Sequence, residues 1–295
     1  MHHTVNVNGR LLDLSSPVVM GILNATPDSF FSGSRVQTEH EIARRADEII
    51  AQGGAIIDVG AFSTRPGAAE VCEEEEMERL RHALSIVRRQ QPDAVVSVDT
   101  FRPDVARMAV EEFGVAIIND VSEGGGADGA LRASFIPGAE VPPMFQMVAR
   151  LQVPYVLMSV RATVEEMLLA FAREVGQLRT LGVNDIILDP GFGFGKDLNQ
   201  NYAVMARLSD LHALRLPILV GVSRKSMITR VLGGGPAEAL NATTALHAVA
   251  LMQGAHVLRV HDVREAVEAC RIVGRLRECA PGNGPQITRF CVNEN

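Results

Sequence analysis

The chain has no tryptophan, two tyrosines and only four cysteines in 295 residues. Set beside 26 glycines, that scarcity points to many backbone turns rather than an aromatic binding surface. Cys72, Cys270, Cys279 and Cys291 form no C-x-x-C pair and have no ligand spacing with histidine. They read as reduced thiols, so a cytoplasmic location is expected. No run reaches the ~18 apolar residues of a membrane span, and no N-terminal apolar run has the length of a signal peptide. Basic charge is also short. Lys and Arg number 28 against 35 Asp and Glu, a net charge of -7. That balance excludes non-specific nucleic-acid or membrane binding and leaves phosphate recognition to a local basic cluster. The His2-His3 pair reads as an accident of the terminus, not a metal site. A hydrophobic content of 47% supplies a sizeable core, and the length suits one large domain or two small ones.

The most informative stretch is Asp185-Ile-Ile-Leu-Asp189-Pro-Gly191-Phe-Gly193-Phe194-Gly195-Lys196. Ile186, Ile187 and Leu188 show no polar alternation and read as a strand buried on both faces, as in a parallel sheet. Pro190 cannot continue a ladder, and the glycines let the backbone turn tightly beside a ligand. A carboxylate rimmed by glycine and phenylalanine suits a flat, nitrogen-rich ligand. The P-loop pattern fails, because Pro190 holds its first glycine position and Asp197 follows the lysine. The Rossmann spacing fails too, because the glycines run G-x-G-x-G. Taken alone, the stretch is equally a plain glycine-rich turn from strand to helix.

The same sentence of strand, loop and helix repeats along the chain. Residues 4–14 read as a short hairpin or cap. Strands are expected at 18–23, 55–59, 94–99, 115–120, 154–158, 185–189, 217–221 and 256–261. Capping boxes open helices at Thr38-Glu-His-Glu41 and at Thr163-Val-Glu-Glu166, and Pro103 starts another. Residues 127–150 are broken by Pro137, Pro142 and Pro143. Eight strand signals over about 250 residues have the size and rhythm of an α/β fold of the (β/α)8 TIM-barrel type. A doubly wound sheet is the rival. The expected organisation is an N-terminal cap over 1–17, one barrel over 18–279 and a tail over 280–295.

In such barrels the carboxyl ends of the strands form the active face. Here those ends offer Asn24, Thr64, Arg65, Asp99, Asn119, Asp189, Lys225, Arg259 and His261. Singly, each has a bland reading as a helix cap, a turn residue or a solvated side chain. Jointly they sort into two groups. Arg65, Arg259 and His261 are cationic or can become so, and guanidinium matches phosphate oxygens bidentately. Asn24 could hold a Mg²⁺ that keeps most of its waters. Asp99, Asn119 and Asp189 offer acceptors for a heterocycle with several N–H donors. One ligand spanning a heterocycle and a phosphate or diphosphate is expected.

These stretches resemble the dihydropteroate synthase family. The resemblance is carried by Gly21-Ile-Leu-Asn24-Ala-Thr26-Pro27-Asp28-Ser29-Phe30, Ser63-Thr64-Arg65-Pro66-Gly67, Ser97-Val-Asp99-Thr100 and Ile118-Asn119-Asp120. It continues through Leu188 to Lys196, Gly221-Val-Ser-Arg224-Lys225-Ser226-Met and Arg259-Val-His261-Asp262-Val263. Seven motifs run in order from about residue 18 to 278. The resemblance implies a reaction of 6-hydroxymethyl-7,8-dihydropterin diphosphate with p-aminobenzoate, giving 7,8-dihydropteroate and pyrophosphate in folate synthesis. It implies that Asp99, Asn119, Asp189 and Lys225 bind the pterin, with Gly221 among the lining residues. Thr64, Arg65, Arg259 and His261 would meet the diphosphate, and Asn24 the Mg²⁺. Phe30, Pro66, Phe194 and Ser226 would frame p-aminobenzoate. Asp99, Lys225, Arg259 and His261 are the implied catalytic set. A homodimer and a place among sulfonamide targets are implied as well.

Three places depart from the family's usual wording. They are Phe30-Phe31-Ser-Gly33-Ser34-Arg35, Ala61-Phe62, and Ser159-Val160 after Met158. All leave the pterin and diphosphate groups intact and fall on loops. Two rivals share the expected barrel. A corrinoid methyltransferase would not need Arg259-Val-His261 or Ser63-Thr64-Arg65. A non-catalytic pterin binder would lack some polar rim residue.

Overall fold

The computed structural model describes residues 3–25, 35–61, 71–124 and 141–279. A hairpin comes first, β1 (Thr4–Val7) antiparallel to β2 (Arg10–Asp13). Eight parallel strands follow: β3 (Val18–Asn24), β4 (Ile56–Gly60), β5 (Val95–Asp99), β6 (Ile117–Asp120), β7 (Tyr155–Met158), β8 (Ile186–Asp189), β9 (Leu219–Val220) and β10 (Val257–Val260). Their order in the sheet is β8-β7-β6-β5-β4-β3-β10-β9. A parallel bridge between Leu188 and Ile218 joins the two ends, and the Leu188 N–H donates to the Pro217 carbonyl at 2.9 Å. The ring is a (β/α)8 barrel, as the eight strand signals predict.

Helices cover the outside: α1 (Arg35–Ala51), α2 (Glu73–Gln90), α3 (Pro103–Phe113), α4 (Pro143–Leu151), α5 (Val164–Thr180), α6 (Leu198–Ala206), α7 (Ser226–Leu232), α8 (Leu240–Met252) and α9 (Val263–Cys279). A 3-10 helix over Leu208–Leu214 follows α6. Thr163 caps α5 as its sequence predicts, its side chain accepting from the Glu166 N–H. Asp197 does the same for α6. The expected box at Thr38 is corrected: α1 already begins at Arg35, so Thr38 and Glu41 lie within it. The seventh strand is only two residues long, since Pro217 has no N–H to offer a ladder. Positions 125–140 and 280–295 lie outside the described residues.

Strand parity decides what enters the barrel. Successive side chains on a strand point to opposite faces. Met20, Ile56, Ile117, Val156, Ile187, Leu219 and Val257 belong to one buried cluster with Val5 and Val7 of the hairpin. Their neighbours, such as Val19, Ile57, Ile118, Ile186, Leu188 and Leu258, belong to a second cluster with the helices. The first set is an interior floor that the hairpin plugs from below. Two residues further along the same strands stand Ile22, Asp58, Asn119, Met158, Asp189, Gly221 and Arg259. Two further again stand Asn24, Gly60 and His261, with Asp99 beside Gly60 and Asn119 in the sheet register. An apolar floor therefore gives way, in two-residue steps, to a polar mouth.

Candidate active site

Arg259 is the hub of that mouth. Its Nε donates to Asp58 Oδ2 at 2.6 Å and its Nη2 to Asp99 Oδ2 at 2.6 Å. Asn119 Nδ2 donates to the same Asp58 oxygen at 3.3 Å. One guanidinium thus holds two carboxylates from β4 and β5. The cationic and acidic groups that the sequence suggests as separate clusters are here interleaved, because Asp58 and Asp99 are the buried carboxylates that compensate Arg259. Burial penalises the guanidinium, yet Asp58 and Asp99 outweigh that and raise its pKa.

Beside this hub sits Lys225. Its ammonium donates to the Phe192 carbonyl at 2.5 Å and lies 4.7 Å from the centre of the Phe194 ring. Burial draws its pKa down to about 8, with Asp189 pulling the other way. A Cβ at Gly221 would lie 3.8 Å from Arg259 Cβ and 4.0 Å from Lys225 Nζ, so this position faces both cations at ordinary contact distance. Asp189 Oδ1 accepts from the Gly191 N–H at 2.7 Å, and burial raises its pKa. His261 Nδ1 lies 3.0 Å from Ser223 Oγ. Burial first and Arg259 second push the imidazole down to about 4. Among these neighbours alone the ring is neutral near pH 7, and a diphosphate beside it would favour the charged form.

Asn24 ends β3 exposed at the rim. Its Oδ1 and Asp99 Oδ2 would both lie 3.9 Å from a Cβ placed on Gly60, so the two oxygens border one spot. Phe194 is half-buried beside Lys225, and Ser226 is exposed at the first position of α7. Phe30, Thr64, Arg65 and Pro66 lie outside the described residues. The others, Asn24, Asp99, Asn119, Asp189, Phe194, Gly221, Lys225, Arg259 and His261, stand at the carboxyl ends of the strands or in the loops that follow them, and Ser226 opens the helix after the β9 loop.

Several residues escaped the sequence reading. Asp58 is fully buried in the run Ile56-Ile57-Asp58-Val59, and a carboxylate inside an apolar strand was the available signal. Lys196 donates to the carbonyls of Ser159, Gly191 and Phe194 at 3.1, 3.0 and 3.0 Å. It pins the glycine-rich turn after β8. Arg224 pairs with both oxygens of Asp262 at 2.9 and 2.7 Å, tying the loops after β9 and β10 together. Arg45 of α1 donates to the carbonyls of Ile22 and His261.

Among the described residues, three buried polar atoms in this region have no partner: Asp58 Oδ1, Ser97 Oγ and Asn119 Oδ1. Unpaired buried acceptors are costly, and a ligand rich in N–H groups would satisfy them. Burial also lifts the Asp99 carboxyl to about 7, opposed by Arg259 and reinforced by Asp58. Such a carboxyl binds its proton more tightly folded than unfolded. Its contribution to stability is present at low pH and is lost as pH rises from about 3.8 to about 7. The stability of the wild type minus that of Asp99→Asn, from denaturant unfolding at a series of pH values, should therefore fall across that window. A flat difference would show that Asp99 ionises as it does in water.

The profile of a family described as pterin binding enzyme matches residues 20–261. The dihydropteroate synthase of Escherichia coli K12 is 41% identical over 280 residues, covering 90% of this chain and 93% of the relative. That of Mycobacterium leprae is 35% identical, covering 94% and 98%. Among solved structures, Xanthomonas albilineans dihydropteroate synthase with 4-aminobenzoic acid superposes with a TM-score of 0.82 at 34% identity, covering 95% of this chain and all (100%) of that one. The Yersinia pestis enzyme with a pterin-sulfa conjugate superposes with a TM-score of 0.78 at 34% identity, covering 94% and 100%. The barrel, the acid-lined mouth and these matches agree that the chain belongs to the pterin-binding enzyme family, among the dihydropteroate synthases.

Proposed function

We propose that the mouth around Arg259 joins 6-hydroxymethyl-7,8-dihydropterin diphosphate to p-aminobenzoate, releasing 7,8-dihydropteroate and pyrophosphate. The observation that carries this reading is the meeting of Asp58, Asp99, Asn119, Asp189, Lys225 and Arg259 over one apolar floor. Buried acceptors, three of them unpaired, suit the N–H edge of a pterin. Asp99, Asn119, Asp189 and Lys225 are the proposed pterin contacts, with Gly221 leaving room for the ring. Thr64, Arg65, Arg259 and His261 are the proposed diphosphate contacts, and Phe30, Pro66, Phe194 and Ser226 frame p-aminobenzoate.

The chemistry needs little from the protein beyond electrostatics. The methylene C–O bond breaks with both electrons leaving on the diphosphate. The arylamine lone pair then forms the C–N bond, and the amine sheds one proton. Positive charge growing on the pterin is stabilised by Asp99 and Asp189, and negative charge on the leaving group by Arg259. His261 donates to a phosphate oxygen, and the negative charge growing there favours its protonated form. A p-aminobenzoate amine is already a neutral nucleophile near pH 7, so no general base is assigned.

Asn24 is the proposed Mg²⁺ ligand. No group of three His, Cys, Asp or Glu among the described residues is placed to hold a metal. A single amide oxygen at the rim fits an ion that keeps most of its waters and takes the rest of its shell from phosphate oxygens. When bound there it would supply positive charge to the leaving diphosphate.

A homodimer is proposed through the outer helices. Val231 and Leu232 on α7, Val249 and Met252 on α8, and Ile272 and Leu276 on α9 are large apolar side chains left exposed. Three helices that each expose such a pair, two of them (α8 and α9) packed together, suit burial against a second copy. Among the described residues no helix is long and apolar enough to cross a membrane. The free thiols of Cys72, Cys270 and Cys279 support a cytoplasmic location.

Three measurements test these readings. Pyrophosphate should be released only when pterin diphosphate, p-aminobenzoate and Mg²⁺ are all present. A folded protein that binds the pterin and releases none would overturn the enzymatic reading. Arg259→Lys, which keeps a cation beside Asp58 and Asp99 but loses the fork, should weaken the diphosphate substrate about tenfold or more and the dephosphorylated pterin far less. Equal losses would place Arg259 outside the diphosphate contacts. Sedimentation should return twice the chain mass, and Leu232→Glu with Met252→Glu should return a single chain. An unaltered dimer in that variant would move the interface elsewhere.

A further inference from the structure

The opposite end of the barrel carries a second cavity, of about 400 Å³, which the synthase reaction does not use. It lies among His3 ahead of the hairpin, Ser15 between hairpin and barrel, His212 and Arg215 at the 3-10 helix, His256 ahead of β10, and Arg277 of α9. Three imidazoles meet there. The His256 ring lies 4.9 Å from that of His3 and 5.7 Å from that of His212, edge-on in both cases.

Two contacts fix the tautomers. The Ile218 N–H donates to His256 Nδ1 at 3.1 Å, so the neutral ring carries its proton on Nε2. His212 Nε2 lies 3.1 Å from the Gln253 carbonyl, which can only accept, so His212 carries its proton there and keeps Nδ1 open. Among the described residues, every titratable side chain lining the cavity is basic. Arg277 donates to the Leu251 carbonyl. Among the described residues, the ion pairs all lie elsewhere and none engages Arg215 or Arg277.

We propose that this cavity binds a small phosphate ester. The five basic groups come from four separate parts of the chain and converge without a carboxylate among them. Burial lowers the pKa of His3 and pushes His256 down to about 4, and His212 adds to the fall in both. A polyanion would turn that mutual repulsion into attraction and draw protons onto the rings. Forked guanidinium groups match phosphate oxygens, and Ser15 offers a hydroxyl at the edge. The volume falls within the roughly 300–1,000 Å³ of small-molecule sites, more than a bare phosphate ion fills, which favours the ester. An occupant would touch both the cap and the barrel, and so would fasten the hairpin against the base.

The test follows the histidine ring signals of the full chain by NMR as glycerol 3-phosphate or inorganic phosphate is added. With glycerol 3-phosphate, the signals of His3, His212 and His256 should shift together and titrate at higher pH. Arg215→Gln and Arg277→Gln should each weaken that response several-fold while leaving the rate of pyrophosphate release unchanged. Arg215 is exposed, so its variant keeps the fold and the comparison stays clean. An equal or tighter response to inorganic phosphate would overturn the ester and assign the cavity to the free ion. No shift with either probe, or shifts untouched by both variants, would overturn the site.

Discussion

The active mouth depends on one buried guanidinium shared between two carboxylates. Arg259 reaches from β10 to Asp58 on β4 and Asp99 on β5, passing over β3, which separates them in the sheet. Burying such charges is costly, and the arrangement holds because the geometry is close and each charge faces its opposite. It also leaves an imbalance. Two carboxylates face one arginine, so the group keeps an acidic character that suits an electron-poor heterocycle. Lys225, near Asp189, adds a positive end. The mouth is thereby polarised before any substrate arrives, and little rearrangement of side chains is required when charge develops.

Around that group the backbone is fastened by cations rather than by more strand pairing. Lys196 gathers three carbonyls of the turns after β7 and β8. Arg45 gathers two more, from Ile22 on β3 and from His261 just past β10, and Arg224 locks onto Asp262. The glycines make this possible. A Cβ at Gly191, whose φ is +67°, would come within 2.1 Å of the Ser159 carbonyl, so the close turn admits no side chain there. Rigid support of this kind keeps Asp189 and Lys225 in place on loops that would otherwise drift.

Much of this was legible in the residues. The apolar runs ending in Asn24, Asp99, Asn119 and Asp189 gave eight strands and their common mouth, because a buried parallel strand has few other compositions. Pro103 and Thr163 marked helix starts through local chemistry alone. Asp58 was not found, because it lies inside a strand instead of at its end, and its role depends on Arg259 about two hundred positions away. The lowered pKa of His261 was hidden for the same reason: it follows from burial and from Arg259, and neither is a local property. The misplaced start of α1 shows the limit of a capping pattern when the helix continues through it.

The two-residue step from apolar floor to polar mouth has a consequence for how such a chain can vary. A single deletion within β4 or β8 would exchange the two faces of the strand, sending Asp58 or Asp189 toward the helices and Val59 or Leu188 into the mouth. Insertions between strands carry no such penalty, since parity restarts at each one. Drift in length is therefore confined to the connecting segments, and the interior must change by substitution alone.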